Sequence, residues 1–343
     1  MYICSNLFLK KEVVMKSHHL RYVIILGVVF FLASLALSCA KKVESDRALT
    51  LLPKESTFLF SANIKKLAAT ALFNKIKEDT EMLEKYNEFV DKTGIDPEKH
   101  LERIVLAIPP DVEETQEVAI AVFGTFDPEK ILSAIEEEGE VETSTYEGLD
   151  VYSFTPEDKP MSMSFLAEGC LAFGGQESIK RMIELSKGKG ESIEANAEMM
   201  EVLKDVNQED MFWGIGLIPE DYRQKAMANP MTQSFASLRS VILSINAEKG
   251  IDFSLLSRSD EEEDAKLIAD AIKGFVALGK MGAGEKPDIL EALDNIEISA
   301  EKNAVTISMH LSEELMEKLG EEMKKGLGGL KEPSEEPVLK PES

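Results

Sequence analysis

From Thr57 to Ala62 the chain alternates: Phe58, Phe60 and Ala62 take one side and Thr57, Leu59 and Ser61 the other, the period of a strand. The spacing then turns helical. Ile64, Leu67, Ala71 and Leu72 share one side of a helix predicted over Ile64–Lys77, and Leu83, Tyr86, Phe89 and Val90 one side of a second over Glu81–Lys92. Strands are predicted over 103–109 and 118–123, a helix over 127–138, then hairpins and a helix over 176–187. A second series follows, with strands over 211–217, 240–247 and 250–257, helices over 259–281 and 288–293, a hairpin, and a helix over 312–325. In its strands Val241, Leu243, Ile245 and Ala247 oppose Ser244 and Asn246, and Val305, Ile307, Met309 and Leu311 oppose Thr306, Ser308 and His310. Such sheets pack on one face and stay wet, or lightly covered, on the other.

Local signals punctuate these elements. Asp96-Pro97-Glu98-Lys99 recurs as Asp127-Pro128-Glu129-Lys130, where Asp caps the orphan amides of a helix start and Pro fills its first turn. Ser259 and Glu262 have the spacing of a capping box ahead of the longest helix, whose Ile268, Ile272, Phe275 and Val276 are expected to face the core. Glu147-Gly148, Glu168-Gly169, Lys249-Gly250 and Lys302-Asn303 mark hairpin turns. The element order predicts an α+β fold of two structurally related units, each with antiparallel strands and a ferredoxin-like βαββαβ core. The units span 51–190 and 191–325, joined through Lys187-Gly188-Lys189-Gly190, and the tail 326–343 reads as disordered.

The first forty residues have a different character. Met15–Arg21 carries positive charge, Tyr22–Leu37 is uncharged and mostly apolar, and Ala36–Cys39 reads ALSC. This is the layout of a lipoprotein signal, with residues 1–38 removed, Ser38 as the small residue at the cut and Cys39 lipidated; Met15 is the expected true start. Leu37 is bulkier than the usual lipobox residue, and an uncleaved anchor is the alternative, although 16 uncharged residues fall short of the ~20 that span a bilayer. Residues 39–50 are then lipid anchor and tether, and the protein is placed on the extracytoplasmic side of a bacterial envelope, at the periplasmic face or outer membrane.

The chain's net charge of −25 becomes −28 without the leader, as basic residues fall from 38 to 34 with Lys10, Lys11, Lys16 and Arg21, and acidic ones from 63 to 62 with Glu12. Phosphate backbones are bound by Lys and Arg, so nucleic acid is not an expected partner; a basic protein surface is. Of three cysteines, Cys4 lies in the leader and Cys39 carries the lipid, which leaves Cys170 without an intrachain partner, in an apolar strand where it acts as a small hydrophobe.

The segments LLPKEST, TGIDPEKHLERIVLAI and CLAFGGQESIKRMIE, behind a lipoprotein leader, resemble a group of bacterial envelope lipoproteins carrying a domain of unknown function. The resemblance covers most of residues 51–187 and implies an exported α+β domain, with no activity, cofactor or site residue attached. Catalytic signatures are missing from the sequence: it contains no HExxH, paired-cysteine or EF-hand spacing, no GxSxG and no phosphate loop. His100 and His310 are far apart and read as structural, the SxxK matches at Ser186 and Ser299 as chance. Met161 and Met163 share a strand side with Phe165 and read as core rather than as Cu(I) ligands; Trp213, Tyr146 and Tyr152 hint weakly at a binding surface. No catalytic, cofactor or metal residue is assigned. The expected function is a lipid-anchored binding or scaffolding protein engaging an envelope partner between its two units. The alternatives are a carboxylate-dependent hydrolase and a carrier of an apolar envelope molecule.

Overall fold

A computed structural model describes residues 45–328, apart from 116, 157–158, 230–231 and 285. Cys39 and the leader lie outside the described residues. The chain enters through α1 (Ser45–Leu49), and Ala48, Leu49, Leu51 and Leu52 are buried. The folded body therefore begins inside the stretch expected to be tether. After β1 (Phe58–Asn63), the helix predicted over Ile64–Lys77 is split into α2 (Ile64–Leu67) and α3 (Ala71–Glu78). Thr70 makes the break: its hydroxyl donates to the Leu67 carbonyl and accepts the Phe73 N–H at 3.1 Å, which starts a new helix.

Helices α4 (Thr80–Thr93) and α5 (Pro97–His100) lead to β2 (Leu101–Ile108), α6 (Val112–Thr115) and β3 (Ala119–Gly124). Next come α7 (Pro128–Glu138) and the strands β4 (Glu142–Tyr146), β5 (Leu149–Phe154), β6 (Met161–Ala167) and β7 (Cys170–Gly174). Then α8 (Gln176–Ser186), a 3-10 turn at Ile193–Ala195 and α9 (Ala197–Leu203) precede β8 (Phe212–Leu217). The remainder is α10 (Glu220–Ala228), a 3-10 turn at Gln233–Phe235, β9 (Leu238–Asn246), β10 (Ile251–Ser259) and α11 (Glu262–Ala283). It ends with α12 (Pro287–Asp294), β11 (Ile296–Glu301), β12 (Ala304–Leu311) and α13 (Glu313–Gly328), the last helix running slightly past the predicted start of the tail.

Both Asp-Pro signals cap as predicted: Asp96 accepts the Glu98 N–H at 3.1 Å and Asp127 the Lys130 N–H at 3.3 Å. The Ser259 capping box does not form. Ser259 ends β10 with its hydroxyl near the Glu261 and Asn303 carbonyls, and α11 opens on Glu262, Glu263 and Asp264, whose charge suits the helix dipole. In the fourth hairpin Lys302 (φ 53°), and not Asn303, takes the left-handed turn position.

All twelve strands form one antiparallel sheet in the order β11-β12-β10-β9-β8-β1-β2-β3-β7-β6-β5-β4. The α+β class stands, and two similar halves run outward from the β1–β8 seam. The ferredoxin-like interleaving does not appear: β1-β2-β3 and β8-β9-β10 lie side by side in chain order, and the later strands then add outward in reverse order, with β7 on β3 and β12 on β10. One face of the sheet, here the front, carries Leu59, Val105, Ala121, Ala172, Trp213 and Ile215 into a core with α8, α9 and Leu51–Leu52. That single core takes residues from both sides of Gly190. The back face packs Ala62, Val122, Met163 and Leu171 with Ile131 of α7, and, further out, Val305 with Ala265, Ile268 and Ala269 of α11.

Candidate functional site

The seam between the halves is filled. β1 and β8 are paired from Phe58↔Gly216 to Ala62↔Phe212, and the Phe60 ring lies 2.6 Å from where a Cβ on Gly214 would sit. Glycine on β8 thus leaves room for an aromatic on β1. A groove of about 500 Å³ lies within the second half, on the front of β9, β10, β12 and β11.

Register builds this groove. The row Ser244–Ser254–Ser308–Glu297 crosses the four strands, and beside it Asn246 faces Asp252, which faces His310. Each of these side chains follows from the period-2 alternation, which sends Leu243, Ile245, Phe253 and Met309 to the back. Asp210 braces one end: it accepts from Ser244 Oγ and, at 3.0 Å, from Asn246 Nδ2, while Asn246 Oδ1 accepts the Met211 N–H at 2.8 Å. At the other end His310 Nδ1 lies 2.7 Å from Asp252 Oδ1, and Asn295 Nδ2 donates to the His310 carbonyl at 3.2 Å. Ser254, Ser308 and Glu297 make no side-chain hydrogen bond to another described residue. Asp252, Asp294 and Glu297 line the groove and no Lys or Arg does, although Lys280 pairs with Asp294 at 2.6 Å from outside the lining, so the acidic character rests on Asp252 and Glu297.

A smaller cleft of about 110 Å³ lies where the chain enters, between Arg47, Leu51, Leu166, Cys170 and Leu185. Burial pushes the Cys170 thiol up to about 11, which keeps it protonated and a weak nucleophile. The other residues marked in the sequence are structural. His100 Nδ1 accepts the Asp96 N–H at 2.9 Å, Met163 and Trp213 are buried, and Tyr146 donates to Glu184 at 2.7 Å. Tyr152 sets its ring edge-on to Phe165, and Ser186 donates to the Ile183 carbonyl. His310 enters the groove, with Ser244, Asn246 and Ser308 from the polar sides of predicted strands, and Met309 borders it. Asp252, Asp210 and Glu297 drew no attention in the sequence. Among the described residues no group of His, Cys, Asp and Glu is arranged to hold a metal ion, and no helix is long and apolar enough to cross a membrane.

No protein-family model matches the chain, and no curated protein matches it in sequence. The solved structure of TP0453 in its crystal form I aligns with 82% of this chain and 99% of its own, at 12% identity and a TM-score of 0.44. The groove therefore rests on this chain's own residues: an α+β protein with one open, polar, acidic sheet face.

Proposed function

We propose that this is a lipid-anchored binding or scaffolding protein of the bacterial envelope, non-enzymatic, held by Cys39 on the extracytoplasmic side and engaging a basic protein surface through the front of β9–β12. The observation that carries the reading is the groove itself, with the Ser254 and Ser308 hydroxyls and the Glu297 carboxylate unpaired among the described residues and no Lys or Arg in its lining. Small-molecule sites are concave and largely apolar; an open groove lined by hydroxyls, amides and carboxylates suits an extended partner. A photo-crosslinking residue in place of Ser254, activated in the native envelope, should capture a partner protein, whereas the same residue at Thr143 on β4 should not. Equal capture at both places would sink the assignment of this face. Mass spectrometry of the membrane fraction checks the anchor, and an unmodified Cys39 in an intact leader would remove it.

The Asp252–His310 pair supports one second reading, a hydrolase, since a carboxylate on Nδ1 orients an imidazole as a base. Both side chains are more than half exposed, at 61% and 56%, which leaves water free access. Turnover abolished by Asp252→Asn, with partner capture unchanged, would favour it.

A further inference from the structure

Helix α11 buries Ala265, Ile268 and Ala269 on the back face, yet a second apolar line along it stays exposed: Leu267 at 61%, Leu278 at 62% and Met281 at 79%. Phe275, which the sequence spacing assigned to the core, lies beside that line at 46% and stacks on Phe235 with ring centroids 6.4 Å apart. Leu267, Ala271, Gly274, Leu278 and Met281 follow one another at steps of four and three, the spacing of a seam between two helices. Gly274 stands at the middle of the line, in a helix interior where glycine is weaker than alanine. A Cβ there would have no atom within 4 Å, and the same holds at Gly282, so the packing of the described residues gives no reason for either glycine.

Charge selects the occupant. In the N-terminal half of α11 Glu262, Glu263, Asp264 and Asp270 outnumber Lys266; in the C-terminal half the charges are Lys273 and Lys280, held within the chain only by solvent-exposed pairs to Asp270 at 3.5 Å and Asp294 at 2.6 Å, which are worth little and can exchange partners. An antiparallel copy of the same helix sets acidic half against basic half and opposes the two dipoles favourably. We propose that a second copy of this chain docks on α11, helix against antiparallel helix, across a two-fold axis at Gly274. Leu267 then meets Met281 of the other copy, Ala271 meets Leu278, and Gly274 lets the backbones approach at the crossing. The contact is isologous and closes after two subunits. It uses the back face and does not depend on the polar groove of the front.

A residue on a two-fold axis meets itself, so Gly274→Cys in the full chain, in its native envelope, should be joined by a homobifunctional maleimide into a product of twice the mass. The yield should be at least about tenfold that of Ser144→Cys on edge strand β4. Adding Leu278→Glu should lower it about tenfold or more. Sedimentation equilibrium of the full chain without the cysteine covers the case in which that variant folds poorly: a dimer is expected, and a monomer with Leu278→Glu. A product of another mass, a Gly274→Cys thiol shielded by the bilayer from an impermeant reagent, or a chain monomeric at all concentrations would each overturn the proposal.

Discussion

Outward from the seam each half lays three strands in chain order and the rest in reverse, seven strands on one side and five on the other, but their front faces part company. β3 and β7 present Ala119, Ala121, Cys170 and Ala172, all buried beneath α8, whose Ile179, Met182 and Ile183 fill the space above. In the corresponding places β10 and β12 present Asp252, Ser254, Ser308 and His310, and the buried cluster stops at Ile242. Small apolar side chains admit a helix; rows of hydroxyls and carboxylates exclude one, because burying them without partners costs several kcal/mol. A helical roof thus follows the chemistry of alternate residues, and the same architecture yields a core on one side and a surface on the other.

The strongest test pairs Ala121→Asn with Ser254→Asn. The first places an amide in a closed core and should destabilise by about 3–5 kcal/mol; the second should stay within about 0.5 kcal/mol. Urea unfolding midpoints decide, and equal losses would break the comparison. Next comes the seam: Gly214→Val forces a branched side chain onto the Phe60 ring and should cost about 1–3 kcal/mol by overpacking, read from the thermal midpoint. Loss of one half's unfolding step alone would show that the halves are less joined than their common core implies.

Smaller still is Asp96→Asn, at about 1–2 kcal/mol. Burial pushes the Asp96 carboxyl up, but hydrogen bonds from Lys99 and Tyr86 outweigh it and hold the group below its ordinary value. A carboxylate with a folded value below its unfolded one stabilises fully above the unfolded value, ~3.9, and loses that contribution as pH falls through the folded one. The difference between wild type and Asp96→Asn should therefore be full at pH 6 and shrink toward pH 3; a constant gap would mean that the side chain acts by shape alone. Ser254→Arg is expected to have the least effect on stability, within about 0.5 kcal/mol. It should nevertheless abolish partner capture through the groove by repelling a basic surface, and undiminished capture would place the partner elsewhere.

Much of the local structure was legible because alternation and helical spacing are local signals. Ser244, Asn246, Thr306, Ser308 and His310 could be placed on the polar sides of strands before their neighbours were known. Thr70 hid its break because Ile64, Leu67, Ala71 and Leu72 keep helical spacing across it. Strand order was not legible: it depends on which edge each helix returns to, and the ferredoxin-like expectation failed there. The groove was half legible for the same reason. His310 and Asp252 are 58 positions apart and meet only through the β10–β12 register, and only the fold shows that both stay more than half exposed.

Ala48, Leu49, Leu51 and Leu52 enter the core shared by both halves, which has a mechanical consequence. With Cys39 as the anchored residue, as proposed, the leash to Ser45 has a contour of about 20 Å at full extension. Any pull from the bilayer is then delivered directly to the core that spans the seam, and the body rides close to the lipid surface.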